Sequence, residues 1–488
     1  MIRPLVTLLA AASLTACSMA PHYIRPELPA PPSWPVGDAY LRQSEAALPA
    51  ISYSDIFRDA RLQRIIEQAL ANNRDLRIAA ANIASARAQY HIQRAELLPE
   101  LDASGGYRYA RSATGSSSST TTTGTSNRTG SNFSADIGIT SFELDLFGRV
   151  RSLTSAAQDR YFGTEAAARA TRLTLVGDIA TAWLTYANDK SLLKIAQDTA
   201  ASAQRSVTLT KARLDGGVAP RTDLDQASNI LQTALSDVAL QTTATAQDIN
   251  ALQLLVGAPV DPALLPASIE EAAPTVAELP AGLDSAILLR RPDVVQAEYE
   301  LRAANAEIGA ARAALFPRIS LTALLGFASS GLSNLFTSGA FNYSVAPSVS
   351  YPIFRAGAGK ATVAQSQSQR DAALATYEKS IQTAFREVAD ALARRGTIAD
   401  QERAQRALTA AAGDNYKLSE ARYRGGIDTF LASLDAQRSY YSAQRTLAAT
   451  ELTKATNLVT LYRTLGGDAR LDTTPDGPRS GVEAATPR

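Results

Sequence analysis

The stretch "FLASLDAQRS", residues 430–439, sets Leu431, Asp435 and Arg438 at i, i+4 and i+7. On a helix such residues share one face. An apolar group, a carboxylate and a guanidinium in a row offer packing and charge. They imply no bond-making. As an isolated surface pair, Asp435 and Arg438 would contribute well under about 1 kcal/mol. Two glycine pairs also stand out, Gly216-Gly217-Val218 and Gly425-Gly426-Ile427. Glycine tolerates positive φ, so both suit tight reversals between helices, and turn chemistry alone accounts for them.

The remaining reactive group is a thiol. Cys17 is the only cysteine in 488 residues, and it closes "LTAC" behind Arg3 and the apolar run from Leu5 to Ala16. That run has the length of a secretory h-region and is too short to span a bilayer as a helix. Small residues before a cysteine in this place resemble a bacterial lipobox. The thiol would then carry lipid, and residues 1–16 would be removed as a signal peptide. An ordinary secretory signal with a chance cysteine is the other reading. It would leave an exported chain with an unpaired reactive thiol. Ser18, not Asp, follows, which by enterobacterial sorting favours the outer membrane.

Enzyme chemistry finds little to work with. His22 and His91 are the only histidines, and neither H-E-x-x-H nor G-x-S-x-G occurs. "GAGKAT" (357–362) imitates a P-loop but has Phe354 where the earlier glycine belongs and Ala361 in place of Ser or Thr. No metal-ligand cluster and no cofactor motif are present; the only expected addition is the lipid on Cys17. A formal net charge of +1, from 48 Lys+Arg and 47 Asp+Glu, argues against nucleic-acid binding.

The elements that must position these residues come twice. Asp75 and Pro99 correspond to Asp293 and Pro317 at an offset of 218; "ARLDGGV" (212–218) and "ARYRGGI" (421–427) correspond at 209. The offset drops within the loop after the first strand, where insertions are tolerated. The expected organisation is a signal peptide at 1–16, an acylated proline-rich segment at 17–57, a first repeat at 58–257, a linker at 258–282, a second repeat at 283–466 and a poorly ordered tail at 467–488. Each repeat reads as a helix (58–98; 283–316), two strands (near 100–110 and 132–147; near 318–328 and 341–354), a very long helix (150–214; 356–424), the Gly-Gly turn, and a last helix (221–256; 428–465). In that last helix Leu434, Tyr441, Ala448, Leu452, Ala455, Val459 and Tyr462 form a heptad-like seam.

The strands alternate with period two. Ile319, Leu321, Ala323, Leu325 and Phe327 oppose Arg318, Ser320 and Thr322; the phase slips in 133–146, which predicts a bulge near Thr140–Ser141. Apolar-out, polar-in alternation fits a membrane barrel. Four strands cannot close one, and an open edge in lipid is costly, so copies must assemble. Two would give eight strands filled by side chains; three give twelve with room for a lumen. The polar loop at 112–131 is expected outside the cell.

With these stretches in hand, the chain resembles the outer membrane factor family, in its acylated, OprM-like multidrug branch. The resemblance rests on "NNRDLR" (72–77), "RAQYHIQRAELLP" (87–99), "ELDLFGRVRS" (143–152), "RRPDV" (290–294), "AANAEIGAARAALFP" (303–317) and "RYRGGIDTFLASLDAQRS" (422–439), together with the region around Cys17. It implies an α+β membrane fold: a trimeric twelve-stranded β-barrel, four strands per chain, continued by a long periplasmic α-helical coiled-coil barrel. It implies an outer membrane exit duct for small molecules, a homotrimer working with a periplasmic adaptor and an inner-membrane efflux pump. The two Gly-Gly turns would be adaptor-docking tips. Leu431 and Asp435 would line a closed periplasmic gate, with Arg438 paired to a neighbouring helix. Asp223 is either such a partner or a helix-start acid. Tyr423 matches a tyrosine near the gate. Ala432 replaces a second constricting acid, so one carboxylate ring is expected. Protein secretion or metal efflux on the same fold, and a non-conducting structural lipoprotein, are the competing readings.

Overall fold

The computed structural model describes residues 18–35, 37, 39–40, 52–112, 128–278, 285–474 and 477–478. Cys17, its preceding signal stretch and residues 113–127 of the Ser/Thr-rich loop lie outside them. The principal elements are α1 (Ala60–Asn72), α2 (Arg74–Ala95), β1 (Asp102–Ser112), β2 (Arg128–Glu143), α3 (Arg149–Asp215), α4 (Arg221–Val256), α5 (Pro292–Ala313), β3 (Arg318–Ser329), β4 (Phe341–Ser350), α6 (Ala358–Arg424) and α7 (Phe430–Thr464). The contacts divide the chain into two units. One takes in the described parts of Met1–Ile24, Ala84–Phe162 and Tyr299–Ala375; the other takes in those of Arg25–Ile83, Gly163–Glu298 and Thr376–Arg488.

The first unit holds an antiparallel sheet in the order β1-β2-β3-β4. The strand pairs of the two repeats therefore lie side by side, joined at β2–β3. Register puts Ala103, Ile137, Leu325 and Tyr343 in one row and Ile139, Ala323 and Val345 in the next. Successive side chains of a strand point to opposite faces, so these rows form one apolar face. It is open: Ile137 is 52% exposed, Tyr343 74% and Val345 65%. The opposite face carries Asp102, Ser320, Thr322 and Ser348, with Ser320 and Ser348 hydroxyls 2.7 Å apart. The register shifts between Ile139 and Phe142, at the expected bulge. The Thr140 hydroxyl donates to Asp102 at 2.9 Å, and its carbonyl accepts from the Thr322 hydroxyl at 3.0 Å. The hydroxyl and carbonyl of the bulged residue thus keep partners despite leaving the ladder. Among the described residues nothing pairs with the outer edges of β1 and β4.

Several boundaries differ from the sequence expectation. The helix expected over 58–98 breaks at Asn73. This buried residue donates through Nδ2 to the Leu255 carbonyl at 2.7 Å and accepts from the Leu76 N–H at 3.0 Å. One side chain thus fastens the junction to a distant helix end and starts α2. The helix expected over 283–316 is a 3-10 stretch, Ser285–Arg290, followed by α5 with Pro292 opening it. Proline suits a first helical turn, which needs no N–H there. The second strand begins earlier and ends earlier than 132–147, and β4 stops at Ser350, just before Tyr351-Pro352.

The second unit has the main apolar core. Leu62, Ile65, Ile66, Ile179, Trp183, Leu252, Ile269, Leu288 and Tyr462 are fully buried in it. The Trp183 indole N–H donates to the Leu264 carbonyl at 3.1 Å, and Phe57 meets Tyr462 edge-on at 5.4 Å. The start of the tail is packed here, contrary to expectation. Leu471 N–H donates to the Arg290 carbonyl at 2.9 Å, and the Tyr462 hydroxyl donates to Asp468 at 2.9 Å. Arg25 donates to the Thr474 carbonyl at 2.8 Å and to Glu298 at 2.6 Å. A short polar segment carries too little apolar surface to announce this; it is held by residues from elsewhere in the chain.

No helix of the described residues is long and apolar enough to cross a membrane. The two helices α3 and α6 each run 67 residues, about 100 Å at 1.5 Å per residue.

Candidate functional site

The two helix reversals and the start of α7 all belong to the second unit. At the first reversal Gly216 N–H donates to Ala212 O at 3.0 Å, Gly217 N–H to Leu214 O at 2.9 Å and Val218 N–H to Arg213 O at 2.9 Å. At the second, Gly425 donates to Ala421 at 3.0 Å, Gly426 to Tyr423 at 3.0 Å and Ile427 to Arg422 at 2.9 Å. Both are Schellman endings, in which a left-handed residue lets the last carbonyls of a helix be satisfied. That residue is Gly217 in one (φ 74°) and Gly426 in the other (φ 73°). A side chain there would be strained, which is why a glycine stands second in each pair. Val218 and Ile427, each just past its glycines, are 76% and 68% exposed. Two apolar side chains thus stand in solvent at matching places.

The restarts after the turns lack side-chain caps: Pro220 precedes α4 and Thr429 precedes α7, neither with a capping bond. Asp223 is therefore not the N-cap. It sits in the first turn of α4, where a carboxylate favours the positive end of the helix dipole.

At the start of α7, burial follows a stripe. Phe430, Ser433, Leu434 and Gln437 are buried; Leu431, Asp435 and Arg438 are exposed, along with Ala432 and Ser439. The expected triad does share one open face. That face looks onto Gln226, Asn229, Ile230 and Thr233 of α4 across a groove of about 1060 Å³. Among the described residues Asp435 and Arg438 make no ion pair with each other, nor does Arg438 pair with Asp223.

Tyr423 lies elsewhere than the open face. It is buried with Ala227, Phe430 and Leu434, with Val207, Leu209 and Ile230 packed around them. Its ring is 5.1 Å from that of Phe430 and lies 4.6 Å beneath the guanidinium of Arg213. Its hydroxyl is buried without a hydrogen-bond partner. Sequence reasoning missed Arg213 and Phe430; the only available signal was that Arg213 and Arg422 occupy matching places in the repeat.

Two other polar groups lie further up the helices. The Tyr441 hydroxyl donates to Asp237 at 2.6 Å, and burial together with that carboxylate pushes the phenol up to about 12. Burial, then the neighbouring Asp189, pushes the Asp248 carboxyl up to about 6. No group of three or more carboxylate, thiol or imidazole side chains converges to hold a metal among the described residues.

Comparison with known proteins fits this arrangement. The model of the outer membrane efflux protein family matches residues 65–258 and 283–467. The chain is 44% identical over 456 residues to the antibiotic efflux pump outer membrane protein ArpC of Pseudomonas putida, covering 93% of each. It is equally identical, over the same length and shares, to the toluene efflux pump outer membrane protein TtgC of Pseudomonas putida. Among solved structures, the open state of the Neisseria gonorrhoeae MtrE outer membrane channel superposes with a TM-score of 0.81 at 33% identity, over 93% of this chain and 99% of that one. With its duplicated hairpins, its one exposed apolar sheet face and its paired Schellman turns, the chain belongs to the outer membrane efflux protein family.

Proposed function

We propose that this protein is the outer membrane exit duct of a tripartite efflux system, closed at its periplasmic end by residues of α7. The observation that carries the reading is the four-stranded sheet with an exposed apolar face and two unpaired edges. Backbone groups left unpaired in lipid cost several kcal/mol each, so the edges must meet other copies. Three chains give a twelve-stranded barrel with an aqueous lumen. Lipid on Cys17 adds an anchor to the same membrane.

The duct itself needs no cofactor and performs no covalent chemistry. A periplasmic adaptor docks at Gly216-Gly217-Val218 and Gly425-Gly426-Ile427, and an inner-membrane pump supplies energy. In the closed trimer Leu431 narrows the passage and Asp435 places one carboxylate ring across it, which disfavours anions. Arg438 pairs with an acid or carbonyl of a neighbouring copy, with Asp223 a candidate. The adaptor opens the passage only by as much as it binds the open state better. Relatives of equal identity are named for antibiotic and for toluene efflux. The duct therefore serves small organic molecules without choosing among them.

A direct test uses cells lacking their own duct but retaining a matched adaptor and pump. Expression of the chain restores export of an amphipathic dye, and deletion of the adaptor abolishes the effect. Trimeric, membrane-inserted protein that restores nothing with any matched pair would contradict the proposal.

A further inference from the structure

Arg213 and Arg422 hold the same place in the two turns, each offering its carbonyl to the last N–H of the reversal at 2.9 Å. Their side chains do different things. Arg422 stays in its own turn and grips Asp428 with two bonds, at 2.6 and 3.1 Å. Arg213 leaves its turn and covers the ring of Tyr423, 4.6 Å from the centroid, with Nη1 donating to the Tyr423 carbonyl at 3.5 Å. The repeat supplies the reason. The counterpart of Asp428 is Ala219, so Arg213 has no acid at that place. The counterpart of Tyr423 is Leu214, so Arg422 has no ring to cover.

Tyr423 is where this contact gains consequence. Its ring packs on Phe430 and Leu434, the buried residues that immediately precede Leu431 and Asp435 respectively. Its hydroxyl has no partner, so the ring faces rather than the phenol fix its position. A movement of the first turn displaces Arg213; the ring beneath it then loses its cover, and the start of α7 loses its support.

We propose that Arg213 is a positioning residue for the gate, linking the first helix reversal to the start of α7 through the face of Tyr423. This rests on the duct reading above. A partly desolvated cation–π contact is worth a factor of about two to thirty in a two-state equilibrium.

The test is the open fraction of purified trimers in a planar bilayer, without adaptor. Arg213→Ala raises the open fraction by about two- to thirtyfold. Arg213→Lys recovers part of the loss, because an ammonium over the ring lacks the planar stack. Tyr423→Leu reproduces Arg213→Ala, and combining the two adds nothing further, as expected of one shared interaction. Arg422→Ala, at the matching place, leaves the open fraction unchanged. If Arg213→Ala does not assemble, Arg213→Gln carries the same comparison. Wild-type gating in both Arg213→Ala and Arg213→Gln, beside an opened Asp435→Ala, overturns this inference and leaves the duct reading intact. Full additivity of the Arg213 and Tyr423 changes overturns it too. Absence of conductance in every variant, Asp435→Ala included, removes the duct reading and this inference with it.

Discussion

Asp435 and Arg438 lie one turn apart on the exposed stripe of α7, yet they make no ion pair with each other. A surface pair at this spacing gains little within one chain, so both charges are available to neighbouring copies. Arg438→Ala is therefore expected to loosen the closed gate rather than the monomer. Single-channel recording would show more frequent openings, while trimer content and thermal unfolding stay within error of wild type. Unchanged gating with a destabilised trimer would instead mark Arg438 as a structural residue.

The fastening of the N-terminal segment makes a second expectation. The side chain of Glu298 is fully buried and that of Arg25 is 10% exposed, and the pair meets at 2.6 Å. Removing one member of a buried pair leaves a charge without its counter-ion and costs about 3–5 kcal/mol. Arg25→Ala should lower the unfolding temperature markedly. The double change Arg25→Met with Glu298→Gln should recover much of that loss, because no buried charge remains. Thermal unfolding of the purified protein measures both, and an Arg25→Ala protein as stable as wild type would contradict the expectation.

A third concerns pH. The folded chain holds the Asp248 proton up to about pH 6, whereas an unfolded aspartate releases it near pH 3.9. The folded state thus binds the proton more tightly. Its advantage is full below the lower value and disappears as pH rises through the upper one, leaving a half-buried charge beside Asp189 above it. Asp248→Asn removes that burden. Its unfolding temperature should exceed wild type by about 1–3 °C near pH 7.5 and by nothing near pH 4. A gain of equal size at both pH values would point to packing instead of ionisation.

Much of this architecture is legible along the chain, and what is hidden has a common cause. The repeat, the alternation and the Thr140 bulge are local patterns with a fixed period, so residues near one another in sequence reveal them. That Leu431, Asp435 and Arg438 share one face follows from helical spacing; that the face is open comes from the packing of Phe430, Ser433, Leu434 and Gln437 on the other side. The break at Asn73 does not follow from spacing, because asparagine suits a helix end only when something receives its side chain, and the receiver is the Leu255 carbonyl. The packed start of the tail depends on Arg25 and Arg290, both far off in sequence as well. Tyr423 is set near the gate only by the family resemblance. Its burial beneath Arg213 is a contact between the two repeats, which no single stretch contains.

The central claim is that Asp435 closes a trimeric duct. Single-channel conductance of the purified trimer in a planar bilayer, beside Asp435→Ala, tests it most directly. A small, mostly closed wild-type conductance that grows several-fold in the variant is the result this account predicts, since removing the carboxylate ring widens and discharges the constriction. Identical conductance in the two proteins would contradict it and place the gate elsewhere on the chain.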